Sequence, residues 1–252
     1  SSISENVLFL PENFPAKTSY QNLYGILSMK YVPYNDNMTS FNNGVEIREL
    51  NVDTSSWITL NNAFRNCYFL TKINEGNIVD CSGIIEGKIL RYAFYGCSCI
   101  EEINFINMPD FAVSVDSMFS LAPNIIPDKL KKISFSPKLN ALNVTLLFNG
   151  RGSLEEIIGE LDFSKITSAN VQNNPFHGCT SLVEIRFTKE SIKYNLSFIQ
   201  SSQLSDESIQ SILDGLATVS STQTLALNSA VYAKLTEEQK QSATDKGWTI
   251  TG

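Results

Sequence analysis

The sequence has one histidine, His177, and no cluster of basic residues; Lys129, Lys131 and Lys132 are its densest basic group. Its net charge is −7 and its pI about 4.8. An acidic surface repels phosphate backbones, which argues against a nucleic-acid partner. No apolar run reaches the roughly 20 residues that span a bilayer. The opening Ser1-Ser2-Ile3-Ser4 carries neither the basic nor the apolar region of a signal peptide. A trimmed secreted protein and an untargeted one would both begin this way. The five cysteines are Cys67, Cys81, Cys97, Cys99 and Cys179, and the odd count argues against a complete disulfide framework. Cys97-Ser98-Cys99 has no second ligand pair to complete a zinc site, and no calcium loop of Asp-x-Asp-Gly type is present. No metal and no cofactor is expected.

What the chain does have is apolar mass: 42% hydrophobic residues, with 15 Phe and 9 Tyr. That suffices for a continuous core. The Phe residues recur in a motif. Ala63-Phe64 is followed by Cys67, Leu70 and Ile73. Ala93-Phe94 is followed by Cys97, Ile100, Ile103 and Phe105. Pro175-Phe176 is followed by Cys179, Leu182, Ile185 and Phe187. The shared pattern is A-F-x-x-C-x-x-L-x-x-I-x-F. Looser copies start at Phe119, leading to Leu130-Lys131-Lys132-Ile133, and at Phe148, leading to Leu154-Glu155-Glu156-Ile157. A first copy is Phe41 followed by Ile47 and Leu50. The anchors at 47, 70, 100, 130, 154 and 182 recur every 23 to 30 residues, the period of leucine-rich repeats.

The spacing predicts the local structure. The last two apolar residues of the motif are two apart, so both point to one face of a short strand. The preceding Leu turns the chain inward, and the Phe fills the far side of the coil. One coil cannot bury this set alone, but stacked coils bury it between neighbours. Phe64, Phe94, Phe119, Phe148 and Phe176 should form a continuous aromatic spine. Cys67, Cys97 and Cys179 should be small buried hydrophobes.

These motifs resemble the BspA-type leucine-rich repeats of bacterial surface proteins. Two linkers are similar to the related repeats of surface lipoproteins: Asp53-Thr54-Ser55-Ser56, and Leu161 to Ser168 ahead of Phe176. The resemblance covers roughly residues 38–187. It implies a curved leucine-rich-repeat solenoid of α/β class, with about six irregular coils and short parallel strands. It also implies a secreted or cell-surface, extracellular protein, with adhesion roles in some members. The family shares no catalytic site, so no functional residue carries over. This chain departs from it in uneven coil lengths and in an insertion at 120–129.

Three regions are expected. Residues 1–37 form an N-terminal cap or the remnant of a preceding domain, 38–203 the repeats, and 204–252 an α/β cap. In the last, Ser205 can cap a helix whose Ile209, Ile212, Leu213 and Leu216 share one face. Thr224 to Leu227 reads as a strand. Thr236 and Gln239 form a capping-box pattern for a second helix, and Trp248 to Ile250 reads as a closing strand.

No catalytic residue is expected. His177 lies at a surface position of the motif, and Cys179 should point away from it. The paired carboxylates Glu101-Glu102 and Glu155-Glu156 face opposite ways on a strand, with no cleft specified for them. The outward strand positions run Glu49, Lys72, Glu102, Lys132, Glu156, Glu184, a ladder whose signs alternate and then repeat. The next column is Asn51, Asn74, Asn104, Ser134, Ile158, Arg186. The candidate ligand-facing residues are therefore Glu156, Ile158, Glu184 and Arg186, with the two glutamates left unpaired. The expected function is recognition of a protein or glycan by a monomer. The alternative is a structural spacer or display domain of a larger surface or phage-like protein.

Overall fold

The computed structural model describes residues 47–122, 127–168 and 174–252, together with the backbone of two strands, β1 (Val7–Leu10) and β2 (Gly25–Met29). Phe41 of the first motif copy and residues 123–126 of the insertion lie outside the described residues. The chain is α/β. Its strands pair in parallel, its helices are few and short, and no sheet described closes into a barrel. Among the described residues no helix is long and apolar enough to cross a membrane.

The first sheet runs β1, β2, β3 (Ile47–Val52), β4 (Lys72–Ile73). The strands at 7–10 and 25–29 thus extend the sheet that the motif begins, although neither carries the motif. The second sheet contains β5 (Ile78–Asp80), β6 (Glu102–Ile106), β8 (Lys132–Asn143), β9 (Glu156–Asp162) and β10 (Glu184–Phe187) in that order, with the short β7 (Val113–Ser114) also pairing with β8. The alternation expected from the motif is present. Ile103 and Phe105, Ile133 and Phe135, and Ile185 and Phe187 are buried, while Asn104, Ser134 and Arg186 between them are half-buried. In register, Ile103 faces Ile133, which faces Ile157.

Opposite the strands, the Phe residues sit in turns stacked like the strands. The amide of Phe64 donates to the carbonyl of Ala93 (2.8 Å), Phe94 to Met118 (2.8 Å), Phe119 to Leu147 (3.0 Å) and Phe148 to Pro175 (2.8 Å). The rings follow one another at centroid separations of 4.8, 6.1, 5.6 and 5.7 Å from Phe64 to Phe176. Trp57 extends the row at one end and Phe198 at the other. Stacked and edge-on aromatic pairs at these distances add to the burial energy of each ring. The expected spine is present and longer than its five members.

The sheet is broken once where continuity was expected. β4 stops at Ile73, and Asn74, Gly76 and Asn77 take left-handed backbone angles, so the chain bulges and returns as β5. Lys72 therefore pairs with Glu49, but β6 pairs with β5 and not with β4. The charge ladder is interrupted between Lys72 and Glu102.

At its other end, the second sheet meets helix α1 (Asp206–Gly215). Ser205 caps it, accepting from the amide of Ser208, and Ile209, Ile212 and Leu213 are buried along it. The helix covers the edge of β10 with hydroxyls: Ile185 N–H donates to Ser208 Oγ (3.0 Å) and Phe187 N–H to Ser211 Oγ (2.9 Å). An exposed edge strand would otherwise leave these amides open to pairing. A third sheet, β11 (Leu196–Phe198), β12 (Gln223–Leu227) and β13 (Trp248–Thr251), completes the chain with α2 (Ser229–Tyr232) and α3 (Glu237–Asp245). The Thr236–Gln239 capping box is formed. The one-turn α2 was not foreseen.

Candidate ligand-facing strand surface

β9 and β10 present Glu156, Ile158, Glu184 and Arg186. In register Glu156 stands between Lys132 and Glu184. Ile158 faces Ser134 and is 42% exposed. Arg186 does not continue that column: it stands opposite Glu160. The reason is Gly159, which lets β9 accommodate extra residues relative to β10. Its φ is +88°, and a Cβ there would lie 2.1 Å from the carbonyl oxygen of Phe135. A side chain is excluded on both counts.

Nor is Glu184 unpaired, as the charge pattern had suggested. Its carboxylate lies 3.0 Å from the guanidinium of Arg186 on the same strand. Ser208, reaching across from α1, donates to Glu184 Oε2 (3.4 Å) and accepts from Arg186 Nη1 (2.9 Å). Glu160 Oε2 accepts from Thr188 Oγ1 (2.9 Å). Lys132 pairs with Glu102 (3.4 Å), so Glu156 has no ion-pair partner among the described residues. The structure thus ties Glu184 and Arg186 into one network with Ser208, and leaves Glu156 half-buried without an ion-pair partner among the described residues and Ile158 exposed. Exposed pairs of this kind contribute up to about 1 kcal/mol each.

Along the same strands, Lys138 lies 3.0 Å from Asp162. Burial raises the pKa of Asp162, but hydrogen bonds from Ser164 and Lys138 outweigh it and hold the carboxyl below its usual value. Where the first two sheets part, an open recess of about 400 Å³ is lined by Asn51, Asp53, Asn74, Glu75, Asp80 and Ile106. Two of its carboxylates are engaged with their own turns: Asp53 accepts from Ser55 N–H, and Asp80 from Ser82 N–H and Asn107 Nδ2. Among the described residues no group of three or more His, Cys, Asp or Glu is placed to hold a metal ion.

His177 is exposed, with Nδ1 3.0 Å from Asn149 Oδ1. Cys179 is buried and its thiol donates to the carbonyl of Phe148 (3.4 Å). Burial pushes that thiol's pKa up, which opposes thiolate formation. The pKa of Cys97 is likewise pushed up to about 12 by burial, and that of Cys81 to about 12 by burial and the neighbouring Asp80.

One residue was missed by sequence reasoning. Arg151 takes the place of the motif cysteine in the Phe148 copy, and it is 0% exposed. Its Nε donates to Phe119 O (2.5 Å), its Nη2 to Phe94 O (3.3 Å) and its Nη1 to Asp128 Oδ1 (3.0 Å). Asp128 belongs to the insertion at 120–129. It also accepts from Ser153 N–H at its second oxygen (3.1 Å). The available signal was an arginine at a position where three other copies carry cysteine, with an acidic residue in the neighbouring insertion. Comparison of the chain with protein-family models, with curated proteins and with solved structures finds no match.

Proposed function

We propose that the chain is a BspA-like leucine-rich-repeat solenoid of about six coils, acting without catalysis as a recognition or adhesion module at a cell surface. Its ligand is a protein or a glycan, met on the strand face around Glu156 and Ile158. The observation that carries this reading is the double stack, parallel strands on one side and turns with Phe rings on the other, joined at intervals that match the motif. Such an arrangement buries its apolar residues between neighbouring repeats and leaves a broad outer strand face for contact. The resemblance of the motif to surface-protein repeats supplies the compartment.

A second reading, a spacer without a ligand of its own, draws on the network around Ser208. Glu184 and Arg186 satisfy each other with Ser208, and Glu160 is held by Thr188. The two readings part in one experiment: a binding screen of the purified chain against extracellular matrix proteins and a glycan array. A recognition module gives a saturable ligand whose binding weakens in Ile158→Asp. A spacer binds nothing in either set.

A further inference from the structure

On the turn side of the molecule, away from the strand face, Arg65, Arg91, Tyr92 and Tyr95 meet at the surface. The guanidinium carbon of Arg65 lies 4.6 Å from the Tyr92 ring centroid and 5.3 Å from that of Tyr95. That of Arg91 lies 4.7 Å from the same Tyr92 ring. The two tyrosines meet edge to face at 5.4 Å. We infer that these four residues form a docking surface for an acidic segment of a protein partner. The inference rests on the recognition-module reading and adds to its strand face a second, separate surface with its own ligand chemistry.

The fold does not ask for a tyrosine at 92. The equivalent turn position takes a left-handed backbone in each neighbouring copy: φ is 57° at Asn62, 54° at Tyr92, 53° at Ser117 and 55° at Leu146. Asparagine tolerates that conformation, whereas a bulky aromatic adopts it at a cost. The ring is thus held at this spot against local preference. There it orders two guanidinium groups by cation–π contact.

The charges are unbalanced in a way that suits an anion. Asp116 pairs with Arg91 at 2.6 Å, and its own side chain is largely covered while that of Arg91 is half exposed. Arg65 has no ion-pair partner among the described residues. Its Nη1 donates to Asn62 Oδ1 (3.3 Å), and its Nε is buried with no acceptor. In a chain of net charge −7, this corner therefore shows arginine cation to its surroundings. Guanidinium forks bind carboxylates through paired charge-assisted hydrogen bonds. Arg and Tyr are also the residue types that dominate binding energy at protein interfaces. A neutral sugar fits less well, because the Tyr92 ring already carries two guanidinium groups.

The test uses fluorescence anisotropy with labelled oligoglutamate, with oligolysine as control and a hyaluronan oligosaccharide as a second anion. Wild type is expected to bind oligoglutamate in a salt-sensitive manner. The double variant Arg65→Gln/Arg91→Gln should bind it roughly tenfold more weakly, about the size of one lost charge-assisted contact. Tyr92→Asn separates binding from folding: its thermal midpoint should hold or rise while binding falls. No oligoglutamate binding by wild type, equal binding in the double variant, or a lowered midpoint in Tyr92→Asn overturns the inference. Tighter, arginine-dependent binding of hyaluronan overturns the choice of a peptide. If these arms fail while the broader screen finds a ligand, only this surface is lost. If both fail, the recognition reading falls as well.

Discussion

The turn at 93–97 and the turn at 147–151 occupy equivalent places and meet the same need with different chemistry. In both, the backbone carbonyl of the preceding copy's Phe accepts from a side-chain donor. Cys97 gives its thiol to Phe64 O (3.0 Å), as Cys179 does to Phe148 O. Arg151 gives Nε to Phe119 O and reaches one turn further, to Phe94 O. The difference lies in the neighbour. Against Phe64 O and Phe148 O a small thiol fills the space and its weak S–H suffices. Where residues 120–129 add chain, they bring Asp128, and a buried guanidinium becomes possible because its charge is matched. The position is thus defined by the carbonyl it serves, and the residue type by the volume and charge supplied next door.

The largest effect should come from removing that guanidinium. Arg151→Ala leaves Asp128 without its cation and Phe119 O without its guanidinium donor, while Phe94 O still accepts from Cys97 N–H (3.2 Å). A loss of about 3–5 kcal/mol in unfolding free energy is expected, as for other broken buried pairs, and urea denaturation would measure it. Arg151→Cys restores the motif residue but still isolates the carboxylate. Adding Asp128→Asn to it should recover part of the loss. A double variant no better than Arg151→Cys alone would mean that the arginine acts by filling space and not by pairing charge.

The thiol-bearing turns should respond to alkali where the Arg151 turn does not. Cys81 and Cys97 have pKa values near 12 in the folded chain, above the ordinary thiol value. Below about pH 8.5 both folded and unfolded chains keep these thiols protonated, and the shift has no effect. Above it the unfolded chain releases its protons first, so stability falls as pH rises toward 12. Each buried thiol contributes up to about 1.4 kcal/mol per pH unit to that fall. Cys97→Ala should flatten the pH dependence between pH 9 and 11 in proportion. An unchanged slope would show that another group sets it.

Much of this architecture was legible because burial leaves a period in the sequence. The spacing of Phe94, Ile100, Ile103 and Phe105 reports one turn and one strand, and the structure places them so. The caps at Ser205 and Thr236 were legible because they act over three residues. What escaped depends on longer range. The ladder from Glu49 to Glu184 assumed unbroken strands, yet Asn74, Gly76 and Asn77 are residues that accept left-handed angles and end one. Gly159 shifts the register that would have set Arg186 beside Ile158. Arg151 went unread, because only the three-dimensional neighbour at Asp128 makes its burial tolerable. Strands β1 and β2 carry no copy of the motif, so nothing in it announced that β1 pairs with β2 and β2 with β3.

The strand face offers the smallest effects and the finest contrast with the turns. Glu156 and Glu184 sit opposite each other, yet one is free and the other is bound to Arg186 and Ser208. Glu184→Gln removes a charge-assisted pair and should cost up to about 1 kcal/mol, less at high salt. Glu156→Gln gives up an in-register attraction to Lys132 together with an in-register repulsion from Glu184. These oppose each other, and the net change should stay within about 0.5 kcal/mol. Urea denaturation at low ionic strength would resolve the two. Equal costs would mean that Glu156 has a partner in solution, and the free carboxylate on which the ligand-facing reading leans would be gone. A silent Glu156→Gln that nevertheless weakens a ligand found by screening would place that ligand on β9, because a residue without a structural partner has no other way to be felt there.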